Sequence, residues 1–212
     1  PFLVLEGSLG LLLVLAIGIR RPAPPRLRAS WEDLIPLALL VVAALLLGRP
    51  HAAILGGSDP GTYVGTAAAV ARSGSLRLVD EVWAAMDAEW ARQEFLFPNM
   101  PGMSMPYHRL PGYYAVDAAR GMVLPQFYAL YPLWLALSFN AVGFPAGLSV
   151  TPVLAAWAIV ALYYAGWAIV GRWPALAGTL LLALNPLFLW LGRHPISEVP
   201  AQFLLFCGVY AL

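Results

Sequence analysis

The chain is poor in charge and in cysteine, and it contains no lysine. Only 11% of its 212 residues are charged, against about 25% in an average soluble domain. That is too few to dress an ordinary water-soluble fold. All twelve basic residues are arginine, a usage compatible with a GC-rich bacterial genome, and the formal net charge is +1. Binding a polyanion needs clustered excess positive charge, so nucleic acid is not an expected partner. The single cysteine, Cys207, sits in an apolar run and has no intrachain disulfide partner, so it reads as a small hydrophobe. His51, His108 and His194 lie far apart, and no His-x-x-x-His or Cys-x-x-Cys spacing occurs. A dedicated metal cage is therefore not expected. Nucleotide-driven transport and soluble-type hydrolysis also gain no support, because the chain lacks a P-loop, a strand-preceded GxGxxG and a GxSxG.

What the chain has instead is oil: 61% of its residues are hydrophobic, gathered into separated runs. Runs near 20 residues are bilayer spans rather than core helices. The expected fold class is all-α, a polytopic membrane helical protein with a large extracytoplasmic loop that bears short helices and an interfacial helix. Residues 1–48 are expected to form two transmembrane helices. Phe2 to Ile19 is the first; Arg20 and Arg21 follow the run instead of preceding it, and no small-residue cleavage site appears, so it is a span and not a signal peptide. Glu6, near its outer end, snorkels toward the headgroups. The connector RRPAPPRLRAS carries Arg20, Arg21, Arg26 and Arg28, which mark it as cytoplasmic. Leu34 to Gly48 follows; at about 22 Å it is short of a roughly 30 Å hydrocarbon core, and Trp31 and a snorkelling Arg49 extend it. The chain opens on Pro1 and stops inside the apolar run Phe203 to Leu212, which leads us to expect the N-terminal part of a longer polypeptide.

Residues 49–124 change character, with six arginines, seven acids, many Gly and Pro, and no run long enough to span. This segment is expected as a water-facing loop on the extracytoplasmic side. Its clear helix opens at GGSDPGTYVGTAAAVARSGSL, with Asp59 as N-cap, Pro60 at the first helical position and Gly74 at the end. EVWAAMDAEWARQEF is expected as a second, surface-lying helix. Residues 125–147 hold the interfacial helix, read from Gln126 to Gly143; its Pro132, Phe127, Tyr128, Tyr131 and Trp134 suit the membrane interface, though its length also permits a crossing. Residues 148–212 then carry three spans: Leu148 to Val170, Ala175 to Leu191, and a last one starting near Val199. If Gln126 to Gly143 lies flat on the outer face, Arg172 falls inside and RHPISE outside.

On that topology Asp59 and Glu198 emerge on the same side, and two carboxylates share one cavity. Ionisable groups at membrane depth cost about 2.5–3.5 kcal/mol on insertion scales and usually mark a site or a water-filled path. Each acid also has a plain structural explanation, Asp59 as a helix cap and Glu198 as a first-turn residue favoured by the helix dipole. One divalent ion between the two is compatible with hard-cation chemistry when a substrate phosphate supplies further oxygens. Arg109 in MPYHRLPGYY and Arg193, beside His194, in LGRHPISE are candidates for phosphate contact, because guanidinium pairs bidentately with phosphate oxygens. For each alone, a snorkelling or loop arginine is the simpler explanation. Tyr113 and Tyr114 stack on a sugar or anchor the loop.

DPGTYVGTAAAVARSGSL, PQFYALYPLWLALSFNAVG and GRHPISEVPAQFLLF together give a layout that resembles the GT-C superfamily of membrane glycosyltransferases, the group of protein O-mannosyltransferases and lipid A aminoarabinose transferases. The resemblance covers roughly residues 48–212. It implies a polyprenyl-phosphate sugar donor, a multi-pass protein of the bacterial plasma membrane, an extracytoplasmic active site and inverting transfer to an acceptor hydroxyl. Asp59 would be the catalytic base, Glu198 would orient acceptor or donor, and Arg193 would neutralise the phosphate leaving group. His194, Arg109, Tyr63 and Tyr113 complete the expected substrate-binding set, with no resident cofactor expected. The chain departs from the family in two places. It has two spans before the first outer loop instead of one, and neutral Leu124-Pro125-Gln126 stands where an acidic or basic residue is frequent. A transporter or lipid flippase and a non-catalytic assembly subunit are the competing classes; repeated halves and helices broken near the midplane, frequent in transporters, are not visible.

Overall fold

The computed structural model describes residues 34–53, 58–85, 108–110, 112–117 and 120–212. The expected first span, its Arg-rich connector and most of EVWAAMDAEWARQEF lie outside these residues. Within them the chain is mostly helical. Apolar sequence and helix-compatible proline placement explain the long elements. Helix α1, Leu34–Leu47, is apolar throughout and has Pro36 in its first turn, where a missing N–H costs no hydrogen bond. Helix α2, Asp59–Ser73, ends at Gly74, whose φ of 67° is the left-handed cap that glycine adopts without a Cβ penalty.

A four-stranded antiparallel sheet follows, in the order β1-β4-β3-β2, from β1 (Leu78–Val79), β2 (His108–Leu110), β3 (Tyr113–Asp117) and β4 (Met122–Pro125). Only short helices were expected in this segment, and one, α3 (Glu81–Ala84), is present. The strands run from two to five residues, below the length at which alternation stands out from noise. Leu78 pairs with Val123, and Tyr114 lies between Arg109 and Leu124. Gly112, at φ 81°, turns the chain from β2 into β3. A Cβ there would meet the Thr62 Oγ1 at 2.1 Å, so the hairpin tip sits directly on α2.

Helix α4, Leu130–Val142, runs through the short α5, Phe144–Gly147, to α6, Val150–Val170. The helical stretch Phe144–Val170, 27 residues, is the one among the described residues long and apolar enough to cross a membrane. Chain reversal at Gly171 leads into α7, Arg172–Ala183. The expected single span Ala175 to Leu191 is broken here. Asn185 Oδ1 accepts the N–H groups of Leu187 and Phe188, at 2.9 and 3.1 Å, and Pro186 begins a new helix, α8, Pro186–Leu191. An Asn cap followed by Pro at the first position stops one helix and starts another. The last helix, α9, Glu198–Ala211, carries Pro200 in its first turn.

Two cores result. Helix α6 is central to the first, packing against α1, α7 and α9; Leu47, Ala155, Ile159 and Tyr163 have no exposed surface. Small residues let the helices approach closely, and a Cβ on Gly166 would lie 3.1 Å from that of Ala175. The second core joins α2, α4 and the sheet through Val64, Ala67, Val123 and Leu135. Helix α4 meets α6 only at the start of the latter: Tyr131 bonds to Thr151, while Gly147 packs on Phe139 from the other end of α4. Helix α4 therefore lies across one end of the helical layer. The C-terminus of α1 and the α8–α9 turn share that end, since Gly192 would place a Cβ 2.9 Å from Leu47 and 3.1 Å from Ala155. Gly171 and Arg172 mark the opposite end.

Candidate functional site

The cap of α2 is Ser58, not Asp59: its φ and ψ of −121° and 156° are extended, and Asp59 is the first helical residue. This corrects the expectation by one position, with a chemical consequence. A capping carboxylate is occupied by backbone N–H groups, whereas Asp59 is exposed in the first turn, where the helix dipole favours its charge. One turn later Tyr63 follows on the same face of α2.

Tyr63 is 6% exposed. Its phenol meets the Ser197 hydroxyl at 2.8 Å, and the Ser197 Oγ donates to Glu198 Oε2 at 3.5 Å. A serine has one proton to give, so the phenol is the donor in the first bond. Tyr63, Ser197 and Glu198 thus form a directed chain from α2 to the start of α9. Burial pushes the Tyr63 phenol above its ordinary value; the Ser197 bond opposes this, and the carboxylates of Glu198 and then Asp59 add to it. Both acids therefore lie within electrostatic reach of one hydroxyl, while the contacts themselves run from Tyr63 to Ser197 and from Ser197 to Glu198. Ser197 escaped the sequence reading.

Beside this chain opens a cavity of about 240 Å³, walled by Phe127, Tyr128, Tyr131 and Trp134 on one side and by Pro200 and Leu204 on the other. Tyr63 and Ser197 form its polar corner. The Tyr63 ring is held by Phe127 at 4.9 Å and edge-on by Tyr131 at 5.3 Å.

The other expected binding residues lie elsewhere. Arg193 donates from Nε, at 3.1 Å, and from a terminal nitrogen to the Leu46 carbonyl. Its guanidinium thereby closes the C-terminus of α1, as a cation favoured by that end of the helix dipole. His194 stacks between His51, 4.5 Å away, and Trp190, at 4.1 Å. Its Nδ1 lies 2.7 Å from the Trp190 carbonyl. Tyr113 anchors the sheet to α2: Thr66 donates to its hydroxyl, which donates to the Thr62 carbonyl, both at 3.3 Å. Burial pushes the Tyr113 phenol up, against the lowering effect of the Thr66 bond. Arg109 lies on β2, paired with Tyr114. Among the described residues no three His, Cys, Asp or Glu side chains gather as a metal site would require. No protein-family model, no curated protein and no solved structure matches the chain.

Proposed function

We propose that the chain is part of a polytopic membrane glycosyltransferase that moves a sugar from a polyprenyl-phosphate donor to an acceptor hydroxyl on the extracytoplasmic side, with inversion. The observation that carries this reading is the Tyr63–Ser197 contact beside an apolar cavity, with Glu198 bonded to Ser197 and Asp59 within electrostatic reach of the Tyr63 phenol. A lipid-linked sugar needs both parts, a greasy wall for its chain and acids where the headgroup reacts.

The membrane placement is supported by the outward faces of the helices. Leu45 is 80% exposed and Leu181 77%, so the surface that a soluble bundle would make polar is apolar here. The α1, α7–α8 and α9 segments are each shorter than Phe144–Val170, and we read them as crossing with it, the Asp59 end outward.

In the proposed reaction Asp59 accepts the proton of the acceptor hydroxyl as its oxygen attacks the anomeric carbon. The bond from that carbon to the phosphate oxygen breaks, and polyprenyl phosphate leaves. Exposed in the first turn of α2 and not consumed in capping, Asp59 is suited to this role. Glu198 orients the acceptor, and Tyr63, kept protonated, fixes Glu198 through Ser197. Arg193, which donates to the Leu46 carbonyl through Nε and one terminal nitrogen, holds the end of α1 in this reading.

Membranes carrying the full-length protein, supplied with labelled polyprenyl-phosphate sugars, test the proposal. Asp59→Asn is expected to reduce transfer by about 10²–10⁴-fold, the usual contribution of a general base. Unchanged transfer removes Asp59 as base, and substrate movement without glycosidic-bond formation replaces the enzyme with a transporter.

A further inference from the structure

The segment that leaves α1 and the turn between α8 and α9 are joined as a seam. The Leu46 carbonyl accepts from the Arg193 guanidinium, and the Arg193 carbonyl in return accepts the His51 N–H at 2.8 Å. Side chains close the same seam. The His51 ring stacks on that of His194, with centroids 4.5 Å and planes 27° apart, and Trp190 packs on the same imidazole at 4.1 Å. A carbonyl only accepts, so the His194 Nδ1 at 2.7 Å from the Trp190 carbonyl carries a hydrogen, which fixes the orientation of that ring on α8. His51 is exposed and belongs to no helix. Its ring is therefore the part of the seam that can be removed without opening a core.

Each side of the seam leads to an acid. From His51 the chain runs on to Ser58 and Asp59 at the start of α2; from His194 it runs through Pro195 and Ile196 to Ser197 and Glu198 at the start of α9. The second path has little slack. Pro195 and Ile196 are both buried, the Ile196 N–H donates to the His194 carbonyl at 2.9 Å, and proline fixes its own φ. A displacement of His194 is thus passed on to Ser197.

We infer that His51 is a positioning residue for the candidate site: by stacking on His194 it fixes the α8–α9 turn, and with it Ser197 and Glu198, against the segment that leads to Asp59. The inference rests on the proposed transfer reaction. His51 acts through the Ser197 contact with Tyr63 and not on the sugar itself. Removing its ring keeps the backbone bond to Arg193 but lets the turn slide, and misplacement of an active-site group by about 1 Å is enough to slow a reaction.

The test uses the full chain in membranes supplied with labelled polyprenyl-phosphate sugar. His51→Ala, His51→Gln and His51→Phe are compared, each alone and together with Tyr63→Phe. Ala and Gln remove the ring, and both are expected to lower kcat by about three- to tenfold at unchanged KM, the ratio that one aromatic contact is worth. Phe keeps a ring to stack and is expected to restore kcat. With Tyr63→Phe already in place the Ser197 contact is gone, so removing the His51 ring is expected to cost nothing further. Should His51→Ala fail to fold, His51→Gln carries the comparison. An unchanged kcat without the ring, a fall that Phe does not rescue, or an equal fall with and without the Tyr63 hydroxyl overturns the inference. Native membranes that transfer no sugar sink the proposed reaction and this role together; transfer that is intact in the native chain and indifferent to the His51 ring sinks this role alone.

Discussion

The Tyr63 phenol and the Ser197 hydroxyl meet at 2.8 Å across 134 positions of sequence, and this contact ties the helix that begins with Asp59 to the helix that begins with Glu198. Tyr63→Phe keeps the ring packing on Phe127 and Tyr131 and removes only the bond. We expect a stability loss of about 1 kcal/mol, the usual net value of such a bond. Transfer is expected to fall further than that loss explains, through kcat and not KM, because Glu198 loses its fixed position. Steady-state kinetics beside a thermal melt separate the two effects; a change confined to stability removes Tyr63 from the proposed machinery.

Raised phenols, those of Tyr63, Tyr113 and Tyr131, set an alkaline limit. Unfolded tyrosine loses its proton near pH 10, while Tyr63 and Tyr113 hold theirs to higher pH in the folded chain. Between those values the unfolded state binds fewer protons, so stability falls as pH rises. The contribution is whole below about pH 10 and drains away above it. Following phenolate absorbance with pH, and repeating it with Tyr113→Phe and Tyr63→Phe, is expected to remove one late-titrating group in each variant.

Gly112 and Gly178 make opposite forecasts. At Gly112 the backbone is left-handed and a Cβ would collide with Thr62; Gly112→Ala is expected to cost about 1–3 kcal/mol and to loosen the hairpin from α2. Around Gly178, inside α7, no atom stands within 4 Å of an added Cβ. There Ala is expected to stabilise the helix by about 0.5–1 kcal/mol. Thermal melts of the two variants, with limited proteolysis of the hairpin, check both signs.

Arg193→Gln withdraws a charged donor from the end of α1. A loss of about 1.5–3 kcal/mol is expected, as for hydrogen bonds to charged groups. The KM for the lipid-linked donor is expected to stay unchanged. A KM that rises in step with the loss of charge returns Arg193 to the phosphate.

The sequence carried the helices that punctuation marks. Asp59, Pro60 and Gly74 bracket α2 to within one residue, and the starts of α1, α6 and α9 follow from apolar runs with proline in the first turn. What it concealed was of two kinds. Hydropathy runs smoothly through Leu184-Asn185-Pro186, so the apolar average overrode a local stop signal that the residues themselves spell out. The sheet is made of strands too short for alternation to register, although Gly112 marks its turn.

The candidate site divides along the same line. Asp59 and Glu198 were legible because a carboxylate in an apolar chain is conspicuous. Ser197 was not, since a lone serine gains meaning only from a phenol on another helix. Arg193 looked like a ligand for the same reason that it makes a good helix stop: an arginine in an oily chain must answer some oxygen, and here the nearest is the Leu46 carbonyl.

The cap at Asn185 uncouples direction as well as hydrogen bonding. Because α8 starts from its own cap, the six residues Pro186–Leu191 act as a separate strut whose tilt is not dictated by the axis of α7. Ser197 follows the far end of that strut, so the angle at Asn185, the Arg193 bond to Leu46 and the packing of α9 on α6 together set the height at which it meets Tyr63.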